Sequence, residues 1–571
     1  MNKKKNLELY RHSAAHLLAH ALQRLFPGTL FGIGPATKDG FFYDVVKKDG
    51  NFKQDDLVVI AEEMRKIVKE NLKIEHYTVS KNEGKEIFSH NPFKLDIINN
   101  QITEDVVGIA QQGDFIDLCK GGHVETTGEL GFFMLTHISG SYWRADKNNH
   151  VMQRISGIIF PTQEELDAHI ALQHELEKYD HRVIGKQMEL FGMHEEGPGF
   201  PFFYPKGAAV INALQRYMRS LHVKNKYKEI KTPTLLHNKL WVRSGHYNHY
   251  KDNMYFVECD EEEYAVKPMN CPGAFLTYNS RPRSYKELPL RLAEFGHVHR
   301  HELSGTLLGL TRVRAFTQDD AHIICLPSQI KDEIKMIFSL IREVMDKAQL
   351  KISKVVLSTR PQKAFGSLEL WDTAIQNLKD ALIEMDQEFA IAEGDGAFYG
   401  PKIGVEMEDN FGRIWSCGTI QLDYVQPENF DMVCINEEGK KERVVVIHQA
   451  IFGSLERFFA ISLEHHRGKL PFWMAPIQIQ IIGMSVDQIE YCRSIVVALE
   501  SAGIRVEYDD RATDPLKAQL QKAIIGNVHS TIIIGKKEVE SNTFSIRNNY
   551  KNTVINNIPL DNLIAVINEI Q

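Results

Sequence analysis

Between residues 290 and 322 the sequence reads LRLAEFGHVHRHELSGTLLGLTRVRAFTQDDAH. Three arginines (Arg300, Arg312, Arg314) and two acids (Glu302, Asp320) fall within it. A guanidinium fork matches the oxygens of a phosphate, so convergent arginines beside acids suit a phosphate-bearing ligand. A charged surface hairpin is the alternative, because such residues are mostly exposed. A second set of chemically capable residues lies nearer the start of the chain. His12 and His16 stand four apart on a helical pattern, and Cys119 and His123 stand four apart in DLCKGGH. Taken alone, the four read as a zinc quartet, with packed histidines as the alternative.

Elements must bring these residues together. Residues 291–300 alternate and carry aromatic and β-branched side chains; Ser304, Gly305 and Gly309 interrupt, and 313–316 resumes. That is a strand, a loop and a returning strand, with Asp320 and His322 beyond the second arm. His12 and His16 sit on an amphipathic helix over 8–26, with Leu18, Leu22 and Leu25 as its apolar stripe and Pro27-Gly28 as its stop. A strand at 40–46 and a helix at 55–71 follow. The charged stretch 161–179 reads as a connector helix, with Thr162 and Glu165 forming a capping box. Beyond it, helices are expected at 207–226, 328–348, 371–385 and 453–463. Strands are expected up to Pro233 and at 258–266, 400–415, 418–425 and 443–448. Strands and helices do not alternate regularly here, which favours an antiparallel α+β sheet. From about Pro471 they do alternate, which indicates a separate α/β domain of about 100 residues.

The bulk composition limits the class. The chain has 571 residues, 43% apolar and 25% charged, as in a soluble globular protein of several domains. No apolar run approaches a membrane span, and the basic N-terminus lacks the apolar core of a signal peptide. Seven scattered cysteines argue against a disulfide framework and fit a reducing cytoplasm. With a net charge of −8, any nucleic-acid contact must come from local basic patches.

Further motifs surround the opening stretch: VKPMNCPG at 266–273, GDGAFYGPK at 394–402, CGTIQLD at 417–423, His448, and GSLER at 453–457. With them the chain resembles the threonyl-tRNA synthetase family, a class II aminoacyl-tRNA synthetase family, over nearly its whole length. Arg300-His301-Glu302 with Arg312 matches the second class signature and Gly453 to Arg457 the third. The strand ending at Pro233 matches the first, which in this class belongs to a dimer interface.

The resemblance implies an N-terminal α+β editing domain (1–160), a connector helix (161–180), a class II antiparallel-sheet catalytic domain (181–470) and a C-terminal α/β anticodon-binding domain (471–571). It implies a cytoplasmic homodimer with no membrane association. The reaction implied is activation of L-threonine by ATP with Mg²⁺ to threonyl-adenylate, then transfer to the 3′ end of tRNA(Thr). Such chemistry needs positioning and charge neutralisation more than covalent help. By family similarity Arg300 grips the α-phosphate and Arg457 the γ-phosphate, Glu302 holds the adenine amino group, Phe316 stacks on the ring, and Arg312 and Gln421 complete the ATP contacts. Gln318, Asp320 and Tyr399 contact threonine.

Cys271, His322 and His448 match the zinc ligands, one ion per subunit, a three-ligand set with an open position. That zinc is implied to read the amino and hydroxyl groups of threonine, which rejects valine by about 10⁴–10⁵-fold. Serine differs by one methyl, worth only about 1–3 kcal/mol, so a second, hydrolytic site is expected. His12, His16, Lys94, Asp117, Cys119 and His123 match the family's editing positions, a site implied to work without metal. His246 matches a histidine near the transfer chemistry. Glu538 and Arg547 match anticodon-reading residues.

Some positions depart from the family pattern. Ser416 stands where relatives often have glutamine, and Thr311 where they often have methionine. The run 510–521 (DRATDPLKAQLQ) lacks the family's glycine-containing pattern. The chain starts almost at the editing domain, so the small extra N-terminal domain of many relatives is expected to be absent. Two rivals remain: a non-catalytic paralogue that binds RNA as a regulator, and a class II synthetase for serine or proline. The presence of Arg300, Arg457 and the Cys271, His322, His448 set with Asp320 argues against both.

Overall fold

The computed structural model of the chain describes residues 3–38, 40–511 and 514–570. Residues 512 and 513, inside the divergent 510–521 run, lie outside the described residues. The chain divides into two compact units, Met1–His174 and Glu175–Gln571. The dividing point falls in the expected connector, a helix over Gln163–Lys178 whose Glu165 N–H is capped by Thr162 Oγ1 at 3.2 Å.

The first unit is α+β. A helix over Lys3–Leu25 packs with a second, Asp56–Glu70, on a four-stranded antiparallel sheet ordered Leu30–Phe31, Phe41–Val46, Val151–Phe160, Phe132–Tyr142. The first helix departs from the amphipathic expectation, because every residue from Ser13 to Leu22 is buried. Ala14, Ala15, Ala19 and Ala21 make that possible, as their small side chains let neighbours approach on all sides. A separate three-stranded sheet (Ile74–Ser80, Val106–Gln112, Phe115–Leu118) and the helix Pro92–Asn100 complete the unit. Asn91 caps that helix by accepting from Phe93 N and Lys94 N, with Pro92 pre-set at its first turn.

The second unit is built on an eight-stranded sheet. Its order is Lys228–Glu229, Leu290–His299, Ala315–Cys325, Val445–Ala450, Ile414–Asp423, Lys402–Glu408, Lys351–Ser358, Ala390–Ala392. Only the two outermost pairings are parallel, so the antiparallel expectation holds. Helices Pro205–Lys224, Ile330–Lys347, Leu368–Glu384 and Leu455–His465 share one large core with it.

Three sequence expectations need correction here. The returning arm of the 290–322 hairpin starts at Ala315 and runs to Cys325, so Gln318, Asp320 and His322 lie on the strand itself and not after it. Residues 400–415 are two strands, not one. Asp409 closes a turn between them by accepting from the N–H groups of Phe411 and Arg413 and from Trp415 Nε1. Residues 258–266 are the end of a hairpin, Tyr255–Cys259 with Glu262–Val266, turned by Asp260 and Glu261 at positive φ of 53° and 61°.

The C-terminal stretch forms a five-stranded sheet ordered Val506–Tyr508, Ile479–Gly483, Ser530–Ile534, Thr543–Asn548, Thr553–Pro559. Its first three strands are parallel and alternate with helices as expected. The last two form an antiparallel hairpin, whose polar sequence hid it.

Candidate active site

A cleft of about 540 Å³ opens on the eight-stranded sheet, lined from strands Ala315–Cys325, Ile414–Asp423 and Val445–Ala450. Period-two geometry sorts the Ala315–Cys325 strand. Phe316, Gln318, Asp320 and His322 face the cleft. Asp319 points the other way, where it accepts from the backbone N–H groups of Ile451, Phe452 and Gly453 at 2.9–3.0 Å. Burial pushes its carboxyl up to about 7 despite those donors. Asp319 thereby fixes the loop that enters the helix Leu455–His465, whose N-cap Ser454 accepts from Arg457 N. That helix is buried except at Arg457, which reaches the cleft.

Register brings two of the expected metal ligands side by side: His322 pairs with His448, which pairs in turn with Gln421. Cys271 comes from the first turn of the helix Cys271–Tyr278. The three residues are buried, and their ligand atoms lie within 4.8 Å of one another. His448 Nε2 is 2.9 Å from Asp423 Oδ2, which leaves Nδ1 for the group. Asp423 is itself fixed, accepting at Oδ1 from Val425 N and Gln426 N. His322 Nε2 is buried and has no hydrogen-bond partner. Burial, then the nearby carboxylates Asp320 and Asp423, push the Cys271 thiol well above its ordinary range. A thiolate there needs a cation beside it. One thiol, two imidazoles, an orphaned nitrogen and a carboxylate behind one histidine are a donor set that fits zinc.

Around this group, Asp320 accepts from Asn270 Nδ2 at 3.0 Å, and burial raises its carboxyl to about 6. Tyr399 is buried with its ring 5.1 Å from that of His448. At the other end of the cleft, the Arg300 guanidinium lies 5.0 Å from the Phe316 ring centroid, and its Nε donates to Pro268 O. Arg457 Nε donates to Thr311 O at 3.0 Å. Glu302 and Arg312 pair with each other at 2.9 Å. Gln421 donates to Gly400 O. Thr311 and Ser416, the two departures, both line the cleft.

Two residues fall elsewhere. Arg314 donates to Glu302 O, Pro198 O and Ser304 Oγ and does not line the cleft. It braces the loop and adds no charge for a ligand. His246 is fully buried, with Nδ1 at 2.7 Å from Ser244 Oγ and Nε2 at 3.0 Å from Met269 Sδ. It sits beside Cys271, 4.0 Å from Sγ, and does not line the cleft.

The first unit gathers the other quartet. His12, His16, Cys119 and His123 offer ligand atoms within 4.8 Å of one another, so they too could hold a metal. Gly121 and Gly122, at φ 95° and 90°, give the KGGH loop the left-handed turns that return His123 to Cys119, Nε2 to Sγ 3.0 Å. His20, on the same helical face, turns instead to Asp114. Behind the quartet, Lys94 and Asp117 are 3% and 2% exposed and meet at 2.5 Å. Tyr43 donates to Asp117 and accepts from Lys94 Nζ at 2.9 Å. Burial lowers His16 to about 4 and His123 to about 2, and raises Cys119 to about 11. For Asp117, burial works upward, but the Lys94 ammonium outweighs it and holds the carboxyl below its ordinary range. The pocket therefore presents neutral imidazoles and a neutral thiol over a buried ion pair. Neutral imidazoles can orient a water by hydrogen bonds or ligate a cation.

In the C-terminal stretch, Glu538, on the short helix Lys536–Ser541, is spent on Gly535 N and Ser545 Oγ, and Arg547 Nη2, on the strand Thr543–Asn548, on Asn552. Sequence reasoning missed Asp319, Asn270 and Tyr43. Asn270 and Asp319 adjoin Cys271 and Asp320, but their hydrogen bonds to Asp320 and to the 451–453 backbone exist only once the strands have paired. Tyr43 carried one signal, an inward position on the Phe41–Val46 strand.

Comparison with known proteins agrees with this layout. Residues 255–466 match the tRNA synthetase class II core domain (G, H, P, S and T). Residues 478–570 match an anticodon binding domain, and 107–156 the threonyl and alanyl tRNA synthetase second additional domain. The threonine–tRNA ligase of Carboxydothermus hydrogenoformans is 47% identical over 95% of this chain and 85% of its own length. That of Clostridioides difficile is 44% identical over 99% and 88%. Among solved structures, the RNA binding domain of threonyl-tRNA synthetase from Cryptosporidium parvum aligns with TM-score 0.66 at 36% identity, covering 68% of this chain and 98% of that one. A Giardia lamblia prolyl-tRNA synthetase, 19% identical with TM-score 0.55 over 70% of this chain and 80% of its own, shares the fold. The chain belongs to the threonine–tRNA ligase family.

Proposed function

We propose that the chain activates L-threonine with ATP and Mg²⁺, transfers it to the 3′ end of tRNA(Thr), and hydrolyses mischarged Ser-tRNA(Thr). The observation that carries this is one cleft holding both Arg300 and Arg457 and the Cys271, His322, His448 group, with Asp320 between them. Arg300 neutralises the α-phosphate and Arg457 the γ-phosphate, with charges that do not titrate off. Phe316, already backed by Arg300, stacks on adenine. Glu302, released in part from Arg312, takes the adenine amino group, and Gln421 completes the nucleotide pocket.

Asp320, held by Asn270, contacts threonine as a hydrogen-bond acceptor, with Gln318 and Tyr399 enclosing the substrate. Cys271, His322 and His448 hold zinc, which when bound supplies a Lewis-acid point for the amino and hydroxyl groups of the substrate. Valine would leave that point unsatisfied. A role for His246 in transfer requires Met269 to move aside.

Serine passes this test, and the quartet of the first unit removes it. His12, His16 and His123, kept neutral by burial, position the 3′ end and the attacking water together with Cys119, while the Lys94–Asp117 pair shapes the pocket. The parts are an editing domain (1–160), a connector (161–180), a catalytic domain (181–470) and an anticodon-binding domain (471–571), where Glu538 and Arg547 contact bases. The edge position of Lys228–Glu229 in the large sheet supports a homodimer. No helix among the described residues is long and apolar enough to cross a membrane, and a cytoplasmic enzyme is the reading adopted.

The test is amino-acid-dependent ATP–pyrophosphate exchange with threonine, serine and valine in parallel, on the parent and on Cys271→Ser. Threonine and serine should support exchange in the parent and valine should not. Cys271→Ser should lose threonine-dependent exchange. Near-normal activity in that variant would sink the metal assignment.

A further inference from the structure

A third group of potential ligands lies outside both sites: Asp180, His181 and Glu464. Its hydrogen bonds exclude a metal. Leu310 N–H donates to His181 Nε2 at 3.0 Å, so that nitrogen carries no proton and its lone pair is taken. The ring proton is therefore on Nδ1, which lies 2.6 Å from Glu464 Oε1. The backbone N–H of His181 donates to the same oxygen at 3.0 Å. The other Glu464 oxygen accepts from Arg413. His181 is 2% exposed, and no ligand position is left on it.

The elements joined by this ring matter more. Glu464 lies on the helix Leu455–His465, seven residues and about two turns beyond Arg457, hence on a similar face. Leu310 precedes Thr311, whose carbonyl accepts from Arg457 Nε, and Arg312, which pairs with Glu302. The loop over 308–312 is closed on itself by Leu308 N to Arg312 O at 3.1 Å. It is thus pinned along the helix at two points, by Thr311 to Arg457 and by Leu310 through His181 to Glu464. Gly309 fits only because it is glycine: a Cβ there would stand 2.0 Å from His181 Nε2, and its φ is +47°.

We propose that His181 is a positioning residue for ATP. Its neutral ring clamps the 308–312 loop to the helix of Arg457 and so sets the separation of Arg312 and Arg457 about the triphosphate. This rests on reading the cleft as an ATP site. A hydrogen bond from a buried backbone N–H to a fixed acceptor holds a loop in one place, and misplacing a phosphate-binding arginine by about 1 Å can cost on the order of 10²-fold.

The experiment is steady-state ATP–pyrophosphate exchange on the full-length protein, with KM measured separately for ATP and threonine. His181→Asn keeps a donor near Glu464 and loses the acceptor for Leu310. KM for ATP should rise about tenfold, with KM for threonine unchanged within twofold. His181→Gln restores an acceptor near the Nε2 position and should recover most of the loss. Gly309→Ala, in a loop at the edge of the cleft, pushes the same contact apart without touching His181 and should also raise KM for ATP selectively. Should His181→Asn fail to fold, Gly309→Ala carries the test alone. Parent-like KM for ATP in these variants, or equal rises for both substrates, would overturn the proposal. Arg457→Ala separates the two readings: if it too leaves ATP dependence intact, the ATP assignment of the cleft fails, and if only the clamp variants are normal, the clamp alone fails.

Discussion

Asp423→Asn should strip the proposed zinc from the Cys271, His322, His448 group while leaving the fold in place. Asp423 is fully buried, and its two oxygens have separate tasks. Oδ1 accepts from Val425 N and Gln426 N, which an asparagine oxygen does equally well. Oδ2 stands 2.9 Å from His448 Nε2, and there the substitution places an NH₂ group. The imidazole can no longer donate at Nε2, so the favoured tautomer carries its proton on Nδ1, the nitrogen that faces the metal. Loss of a carboxylate behind a ligating histidine costs typically 10–100-fold in metal affinity. The reversal of tautomer puts this variant at the upper end, about 100-fold, or about 2.7 kcal/mol. The assay is zinc content by mass spectrometry after dialysis against a graded chelator series, with threonine-dependent exchange followed in the same samples. The chelator midpoint should fall about 100-fold, and activity should fall with it and return on adding zinc. A midpoint equal to the parent's would refute both the ligand role of His448 and the reasoning about its tautomer.

Exchanging both His12 and His16 for Ala should leave threonine activation intact while Ser-tRNA accumulates; if deacylation of Ser-tRNA proceeds as in the parent, the quartet is not the editor. His222 gives a pH prediction: it is buried, neither ring nitrogen has a partner, and burial lowers it from 6.5 to about 4. The unfolded chain binds the proton more readily, so the neutral ring's contribution is fully present above pH 6.5 and is lost as pH falls to about 4, roughly 3 kcal/mol in all. His222→Phe should flatten the fall of melting temperature across that window, and an unchanged slope would remove His222 as its cause.

How much of this could be read from sequence depended on whether a residue acts through local period or through register. The hairpin was legible because its alternation is local, and the α/β alternation of the last hundred residues was legible for the same reason. The 400–415 stretch was not, because the side-chain bonds of Asp409 that make its turn look, in sequence, like one more acid among strand formers. The first helix reads as amphipathic in sequence because alanine is ambivalent in a hydrophobic pattern, and only packing decides whether it is covered. In sequence Arg314 is indistinguishable from Arg300 and Arg312, since all three are arginines near a turn. Its three acceptors, Glu302 O, Pro198 O and Ser304 Oγ, are visible only once the loop has closed.

The proposed metal group is the extreme case of register. Cys271, His322 and His448 share no local pattern, and without a family likeness each would pass for an ordinary buried residue. What unites them is that one strand pairs antiparallel with another so that His322 stands opposite His448, with a helix terminus delivering Cys271 alongside. A one-residue slip in that pairing would turn each histidine to the other face and bring Asp319 where Asp320 stands. Asp319 guards against such a slip: its carboxylate already holds three consecutive backbone N–H groups at the end of the Val445–Ala450 strand. The two adjacent acids of the QDD run thus divide the work. One fixes the register of the strands, and the other, on the opposite face, is thereby delivered to the cleft. Exchange of either acid should then harm threonine binding, but only loss of Asp319 should disturb Arg457 as well, since the loop it holds leads directly into that helix.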